Sequence, residues 1–323
     1  MKLATLPNGT EDGELILVSR ELSRAISAND IAPSLLAALR DWSRVEPLLR
    51  TRSEALAAGD TVGFNFDPAQ VLAPLPRAPQ WLDGSAFLNH GRLMDEAFGN
   101  EPLPEVDTIP LVYQGASDDF LGAQAPLLTP SEDLFIDCEG EFGVVVGEVP
   151  MGCSPEAALG HIRLIVQIND WSLRQPGPFE MKRGFGFLQA KPSTGFAPVA
   201  VTPDELGPAW RDGRVHLPLR VEINGERLGE PHGGEMSFHF GQIIAHTART
   251  RRLTAGTIIG SGTVSNASRA AGSACIAERR VIEIIDKGGP ETPYLHFGDH
   301  VRMEARLPDG PLFGAISQVV VAG

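Results

Sequence analysis

The chain has little of what would tie it to an oxidising compartment, a membrane or nucleic acid. Its 323 residues include three cysteines, Cys138, Cys153 and Cys275, widely spaced and without a CxxC pair. An odd, scattered set argues against a disulfide framework and reads as reduced thiols in a cytoplasmic compartment. No apolar run is long enough to span a bilayer, and Met1 to Gly9 lacks the apolar core of a signal peptide. Positive charge is scarce: 27 Lys and Arg stand against 41 Asp and Glu, a net charge of −14. Nucleic acid and anionic membranes are held mainly by Lys and Arg, so neither is an expected partner. For the same reason an anionic substrate would need a cation or a local basic pocket. There is no internal repeat, P-loop or Ser-centred nucleophile elbow, and Gly184-Phe185-Gly186 does not make a dinucleotide fingerprint.

What is present reads as an α+β globule, mostly β, with 42% hydrophobic and 21% charged residues. Residues 1 to about 20 read as a hairpin turning at Asn8-Gly9 to Gly13. Ile31 to Leu49 carries apolar residues at helical spacing, and Arg50 to Ala58 continues it or pairs with it. This end has no histidine and no clustered catalytic types, which suits a small cap or packing domain. Prolines gather between Ala69 and Pro79 and set the boundary there, with 1–75 as the N-terminal domain and 76–323 as the catalytic one. Beyond it, Ser154 caps a short helix, Leu164 to Ile168 is a buried strand, and Ser237 caps a helix from Phe238 to about Arg251. Strands are predicted at Val281–Ile285, His300–Glu304 and Phe313–Val321.

The densest chemistry lies between Ile136 and Gly147, where Asp137, Glu139 and Glu141 alternate ahead of Val144-Val145-Val146. On a strand they would stand in a row on one face, about 7 Å apart. Like charges so placed repel, and bulk water, a shifted pKa or a hard divalent cation must offset that. A cation would recruit further oxygens. Asp170 suits, since it closes an apolar strand where a carboxylate is either coordinated, paired or used in a turn or cap. Asp83 and His90 are seven residues apart, which on a helix puts both on one side. His90 beside a metal-polarised water would act as general base. Lys191 and Arg174 suit anion binding, and backbone amides around Gly262-Thr263 suit an oxyanion. Glu278 either orients His90 or is a salt-bridged surface residue, and the residues alone slightly favour the surface.

Four pieces, taken in this order, resemble the fumarylacetoacetate hydrolase family. They are Glu139-Gly140-Glu141 ahead of a valine-rich strand, Gln167 to Arg174, the lysine of Ala190-Lys191-Pro192-Ser193-Thr194-Gly195, and Gly260 to Asn266. The resemblance covers roughly residues 78 to 323, and the N-terminal part resembles the small domain of the longer members. It implies a mixed β-sandwich roll, a homodimer, and a small anionic keto-acid substrate. It also implies Asp83, Glu139, Glu141 and Asp170 as ligands of Mg2+ or Ca2+, with Mn2+ accepted and no organic cofactor. His90 is then the base, Glu278 the carboxylate that orients it, and Lys191, Thr263, Tyr113 and Arg174 the groups that bind or polarise substrate. The implied reaction is hydrolysis of a C–C bond in a β-diketo acid such as fumarylacetoacetate or an acylpyruvate. The alternative is decarboxylation, hydration or tautomerisation of an oxaloacetate-like or 2-keto-enoic acid through the same enolate. Asp137 has no counterpart in the family pattern and is expected outside the ligand set. Gly140 is expected to let another segment or the substrate approach closely. The family's groups for a distal carboxylate are not reproduced at Gly99 or in the loop Gln175 to Phe179.

Overall fold

Every residue of Gly140–Val146 is buried, because this strand lies inside an eleven-stranded sheet that is covered on both faces. The computed structural model describes residues 1–323 in full. Antiparallel neighbours of the Gly140 strand are Ile162–Asn169 on one side and Ile258–Gly260 on the other. Trp81–Gly84 pairs in parallel with the latter, and Val112–Gly115 closes that edge. Along the run, Val145 clusters with Leu164, Val166 and Ile168, and with Leu35, Leu39, Val45 and Leu49 of the N-terminal helices. Val144 and Val146 instead cluster with Val221, Val301, Met303 and Ile316 of a second, five-stranded sheet. A strand buried on both sides reads as a continuous apolar run. Each such side chain contributes about 1.5–3 kcal/mol on burial.

The N-terminal hairpin, Lys2–Leu6 with Glu14–Val18, does more than cap this core. Lys2 pairs opposite Val201 and Leu3 opposite Ala200, so the strands of the small domain continue the catalytic sheet. The result is a mixed α/β fold with more strand than helix, a small N-terminal domain and a catalytic domain. No helix is long and apolar enough to cross a membrane.

Several local expectations differ from the structure. The apolar stretch from Ile31 begins its helix only at Leu35, capped by Ser34, and a break at Asp41 separates Leu35–Arg40 from Trp42–Ala58. Val281–Ile285 is not a strand. It lies in the helix Ile276–Lys287, begun by Cys275, whose Sγ accepts from Glu278 N, and ended by Gly288 in the left-handed region. Its β-branched run suggests a strand, but both ends carry helix-terminating chemistry. The later helix is Phe240–Thr247, with His239 rather than Ser237 at its N-cap and the Gln242 side chain accepting from His239 N. Ser237 Oγ accepts instead from Leu88 N, which ties this loop to another helix. Finally, Asp83 and His90 do not share a helix: Asp83 is on the strand Trp81–Gly84 and His90 in the helix Leu88–Phe98.

Candidate active site

The acidic run does not stay straight. Ile136–Asp137 pairs with Ser172–Leu173 in a ladder of its own, and the sheet strand resumes at Gly140. Between them, Glu139 N donates to Asn169 Oδ1 and Glu139 O accepts from Asp170 N, at 3.1 and 2.9 Å. The bend separates the three carboxylates. Asp137 turns to the start of the helix Ile276–Lys287, accepting from Ile276 N at 2.8 Å, Ala277 N at 2.9 Å and Arg174 Nε at 2.8 Å. An anion at a helix N-terminus meets unpaired N–H groups and the positive end of the dipole. Gly140 packs under Leu219, Val221 and Ala274, so its missing side chain makes room for the second sheet.

Glu141 points the other way and converges with Asp83 and Asp170, one oxygen from each lying within 4.8 Å of the others, all three residues buried. Strand register brings them to one end of the sheet. Asp83 is opposite Gly260, Gly260 opposite Gly143, and Glu141 opposite Ile168, just before Asp170. Gly260 is required here, since a Cβ would collide with Asp83 Oδ1 and the Trp81 ring. Gly262, at φ +73°, aims its N–H at Asp83 Oδ1, 3.0 Å away. Gly260→Ala is expected to cost about 1–3 kcal/mol through overpacking and to weaken divalent-cation binding. Urea unfolding and calorimetric titration with Mn2+ check both effects.

Burial, then Asp170 and Glu139 nearby, pushes the Asp83 carboxyl up to about 8. Glu141 is driven well above the ordinary carboxylate range by burial, then by Asp83 and Asp170, and neither of its oxygens has a hydrogen-bond partner. Two orphaned oxygens facing two more buried carboxylates are an oxygen-rich donor set that suits a divalent cation.

Positive charge borders this cluster. Lys191 Nζ donates to Asp170 Oδ2 at 2.5 Å, Glu139 Oε2 at 2.7 Å and Ser172 Oγ at 2.8 Å. Burial alone would lower Lys191, but Asp170 and Glu139 outweigh it and keep it protonated. Arg174 Nη2 lies 2.6 Å from Glu139 Oε1 and 2.7 Å from Asp137 Oδ2. Burial alone would raise Glu139, whereas Lys191 and Arg174 hold it below the usual carboxylate range. Glu139 therefore stands beside the convergent trio, with its oxygens engaged by cationic side chains. Tyr113 donates to Asp170 Oδ2 at 2.7 Å and Thr194 to Asp170 Oδ1 at 2.9 Å. Thr263 is buried directly after Gly262.

His90 is set apart from the carboxylate trio by its own partner, Glu278, whose Oε2 lies 2.8 Å from His90 Nδ1. Glu278 is only 1% exposed against 18% for the His90 side chain. The surface reading of Glu278 thus gives way. The helix begun by Cys275 places it in the first turn, inside the protein and against the helix Leu88–Phe98. Sequence reasoning missed Thr194 and Ser172, which fix Asp170 and Lys191. Both lie inside the quoted segments, but a hydroxyl beside a charged residue is too common to single out.

Comparison with known proteins agrees with this architecture. Residues 80–321 match the family model described as fumarylacetoacetate hydrolase C-terminal, and residues 1–77 match fumarylacetoacetase N-terminal domain 2. A 2,4-didehydro-3-deoxy-L-rhamnonate hydrolase of Sphingomonas sp. is 29% identical over 230 residues, 70% of this chain and 76% of that protein. The mitochondrial oxaloacetate tautomerase fahd2 of Xenopus laevis is 24% identical over 246 residues, 74% and 71% of the two chains. Among solved structures, maleylpyruvate hydrolase from Sphingobium sp. SYK-6, in complex with manganese(II) and pyruvate, shares the fold at TM-score 0.65 and 17% identity over the full length of both chains. With nearly its whole length accounted for by the two adjacent family models, the chain belongs to the fumarylacetoacetate hydrolase family of enzymes.

Proposed function

We propose that this enzyme hydrolyses a C–C bond in a β-diketo acid, fumarylacetoacetate or an acylpyruvate being representative, with the aid of a divalent cation. The observation that carries the reading is the His90–Glu278 pair, 2.8 Å apart, in which Glu278 stands in the first turn of a helix whose N-cap, Cys275, bridges to Glu139 beside the carboxylate trio. A structural metal site needs no such dyad. Asp83, Glu141 and Asp170, with Glu139 as fourth member, would hold Mg2+ or Ca2+, and Mn2+ fits the same oxygens. When bound, the cation supplies Lewis-acid polarisation of the substrate's keto oxygens.

The residues of the chain do the rest. Glu278 takes the Nδ1 proton of His90 as a hydrogen bond, which leaves Nε2 as the acceptor for a proton from water. The oxygen of that water forms a bond to the acyl carbonyl carbon. The charged Lys191, with Thr263 nearby, stabilises the oxyanion. As the C–C bond breaks, its electron pair stays with the keto-acid carbon, and His90 returns the proton there. The products are a carboxylic acid and a keto acid. Arg174 and Tyr113 border the cluster and would grip the substrate's carboxylate end. We further propose that the enzyme works as a homodimer.

The relationship to oxaloacetate tautomerase supports a second reading, in which the same groups move protons on an oxaloacetate-like or 2-keto-enoic acid without attack by water. Decarboxylation and hydration use the same groups. Product analysis by NMR separates the readings. Incubation with Mg2+, Mn2+ or Ca2+ and a panel of fumarylacetoacetate, acylpyruvates and oxaloacetate is expected to give equimolar acid and keto acid from the β-diketo acids. No cleavage of any of them, alongside faster enol–keto exchange or decarboxylation of oxaloacetate, would overturn hydrolysis.

A further inference from the structure

At the opposite end of the sheet from Asp83 is a cleft of about 860 Å³, lined by the helices of the small domain and by the catalytic domain. The central strands span the two sites. Glu141 lies near the start of the Gly140 strand, while Gly147, just past its end, lines the cleft. Six residues from Glu141 to Gly147, and four from Asp83 to Pro79 in the lining, at about 3.3 Å each put the sites roughly 13–20 Å apart. The volume is that of a small-molecule site.

The lining concentrates positive charge in a chain of net charge −14. It carries Arg40, Arg50, Arg163 and Arg252 against two carboxylates, Glu46 and Glu148. Those two are already used: Arg50 Nε is 2.7 Å from Glu46, and Arg252 Nη1 is 2.9 Å from Glu148. Arg50 is satisfied further by Asp204 at 3.1 Å. Arg40 and Arg163 have no ion-pair partner.

Arg163 is held as if for a ligand. Its guanidinium packs against Gly147, where a Cβ would come 2.9 Å from Nε and 3.2 Å from Nη2. Nη1 is fixed by the carbonyls of Gly160 and Ile162, at 2.8 and 3.4 Å, while Nη2 makes no hydrogen bond. Burial pushes this guanidinium down from its ordinary value, with only partial relief from Glu46. A half-buried cation without a counter-ion carries an uncompensated desolvation cost; Nε is buried without a partner, and the remaining Nη2 is free to donate to an oxyanion. We propose that the cleft binds a small, multiply charged oxyanion, bearing phosphate or carboxylate groups, between Arg163 and Arg40. Such a ligand joins the small domain to the catalytic sheet from a site remote from the carboxylate trio.

Calorimetric titration of the full chain with inorganic phosphate, at constant ionic strength and with Mg2+ present, tests this. A citrate titration tells whether carboxylates serve equally. One saturable site is expected, its Kd raised at least tenfold by Arg163→Met and several-fold by the exposed Arg40→Gln, which leaves the fold unchanged. Hydrogen exchange is expected to show phosphate protecting residues 35–50 and 160–163. Three results would each overturn the proposal. The first is no saturable binding, or affinity unchanged in both variants. The second is protection confined to residues 83–90 and 139–141. The third is protection of the cleft segments by self-association at high protein concentration without phosphate, which would make the cleft an interface between copies of this chain.

Discussion

His90→Ala is expected to lower kcat by about 10²–10⁴-fold, the contribution of a positioned general base. Folding and cation binding are expected to survive. The imidazole is linked to Glu278 and belongs to neither the Asp83–Glu141–Asp170 trio nor the main core clusters. The substitution does leave Glu278 buried without its partner, which costs about 1–3 kcal/mol. His90→Asn controls for this, because its side-chain amide can still donate to the carboxylate but is not basic. If both variants lose turnover alike while only alanine is destabilised, the loss is chemical. Steady-state kinetics on the best substrate of the panel, thermal melts and Mn2+ titration together make the check. Near-normal turnover in either variant would remove His90 from the role of base. Glu278→Gln is a milder test of the same link, since it keeps a hydrogen-bond partner but loses the charge that stabilises the protonated imidazole.

The dyad shows what a linear reading can reach. The seven-residue spacing of Asp83 and His90 is real in the sequence, yet its structural cause is not helical periodicity. A strand delivers Asp83, three residues turn, and a separate helix delivers His90. The two-sided burial of Val144 to Val146 and the strand leading into Asp170 were legible because local composition determines them. That Asp137 stands apart was legible only through the family resemblance, and the parting of Glu139 from Glu141 was not legible at all. The division depends on a bend at Cys138-Glu139 and on partners far along the chain: the start of the helix at Ile276, Lys191, and Asp83. The helix over Val281–Ile285 was hidden by β-branched residues, whose preference tertiary packing against the helix Leu88–Phe98 outweighs. Family resemblance supplied the long-range pairing that spacing alone could not.

The carboxylate trio makes its own prediction when metal is removed. Without a cation, burial pushes the Asp83 carboxyl up to about 8, far above the ordinary carboxylate range, and shifts Glu141 the same way. A raised carboxylate pKa means the folded state binds protons that the unfolded chain releases. Stability is therefore greatest on the acid side and is lost as pH rises from about 4 to 8, at a cost of order several kcal/mol. Glu139 is shifted the other way, so its stabilisation fades only at acid pH, below this window. A divalent cation takes the place of the protons, and its binding releases them. At a hundred times its Kd it adds about 2.7 kcal/mol, roughly 4 °C in Tm for a chain of 323 residues. Melts of chelator-stripped and Mn2+-loaded protein should accordingly diverge between pH 5 and 8, the stripped curve falling and the loaded one holding level. Glu141→Gln is expected to flatten the stripped curve and to lose most of the Mn2+ response, because it removes one buried charge and one ligand together. Parallel curves for stripped and loaded wild-type protein would mean that the trio is satisfied without a cation, and the metal-dependent chemistry would then have to be abandoned along with it.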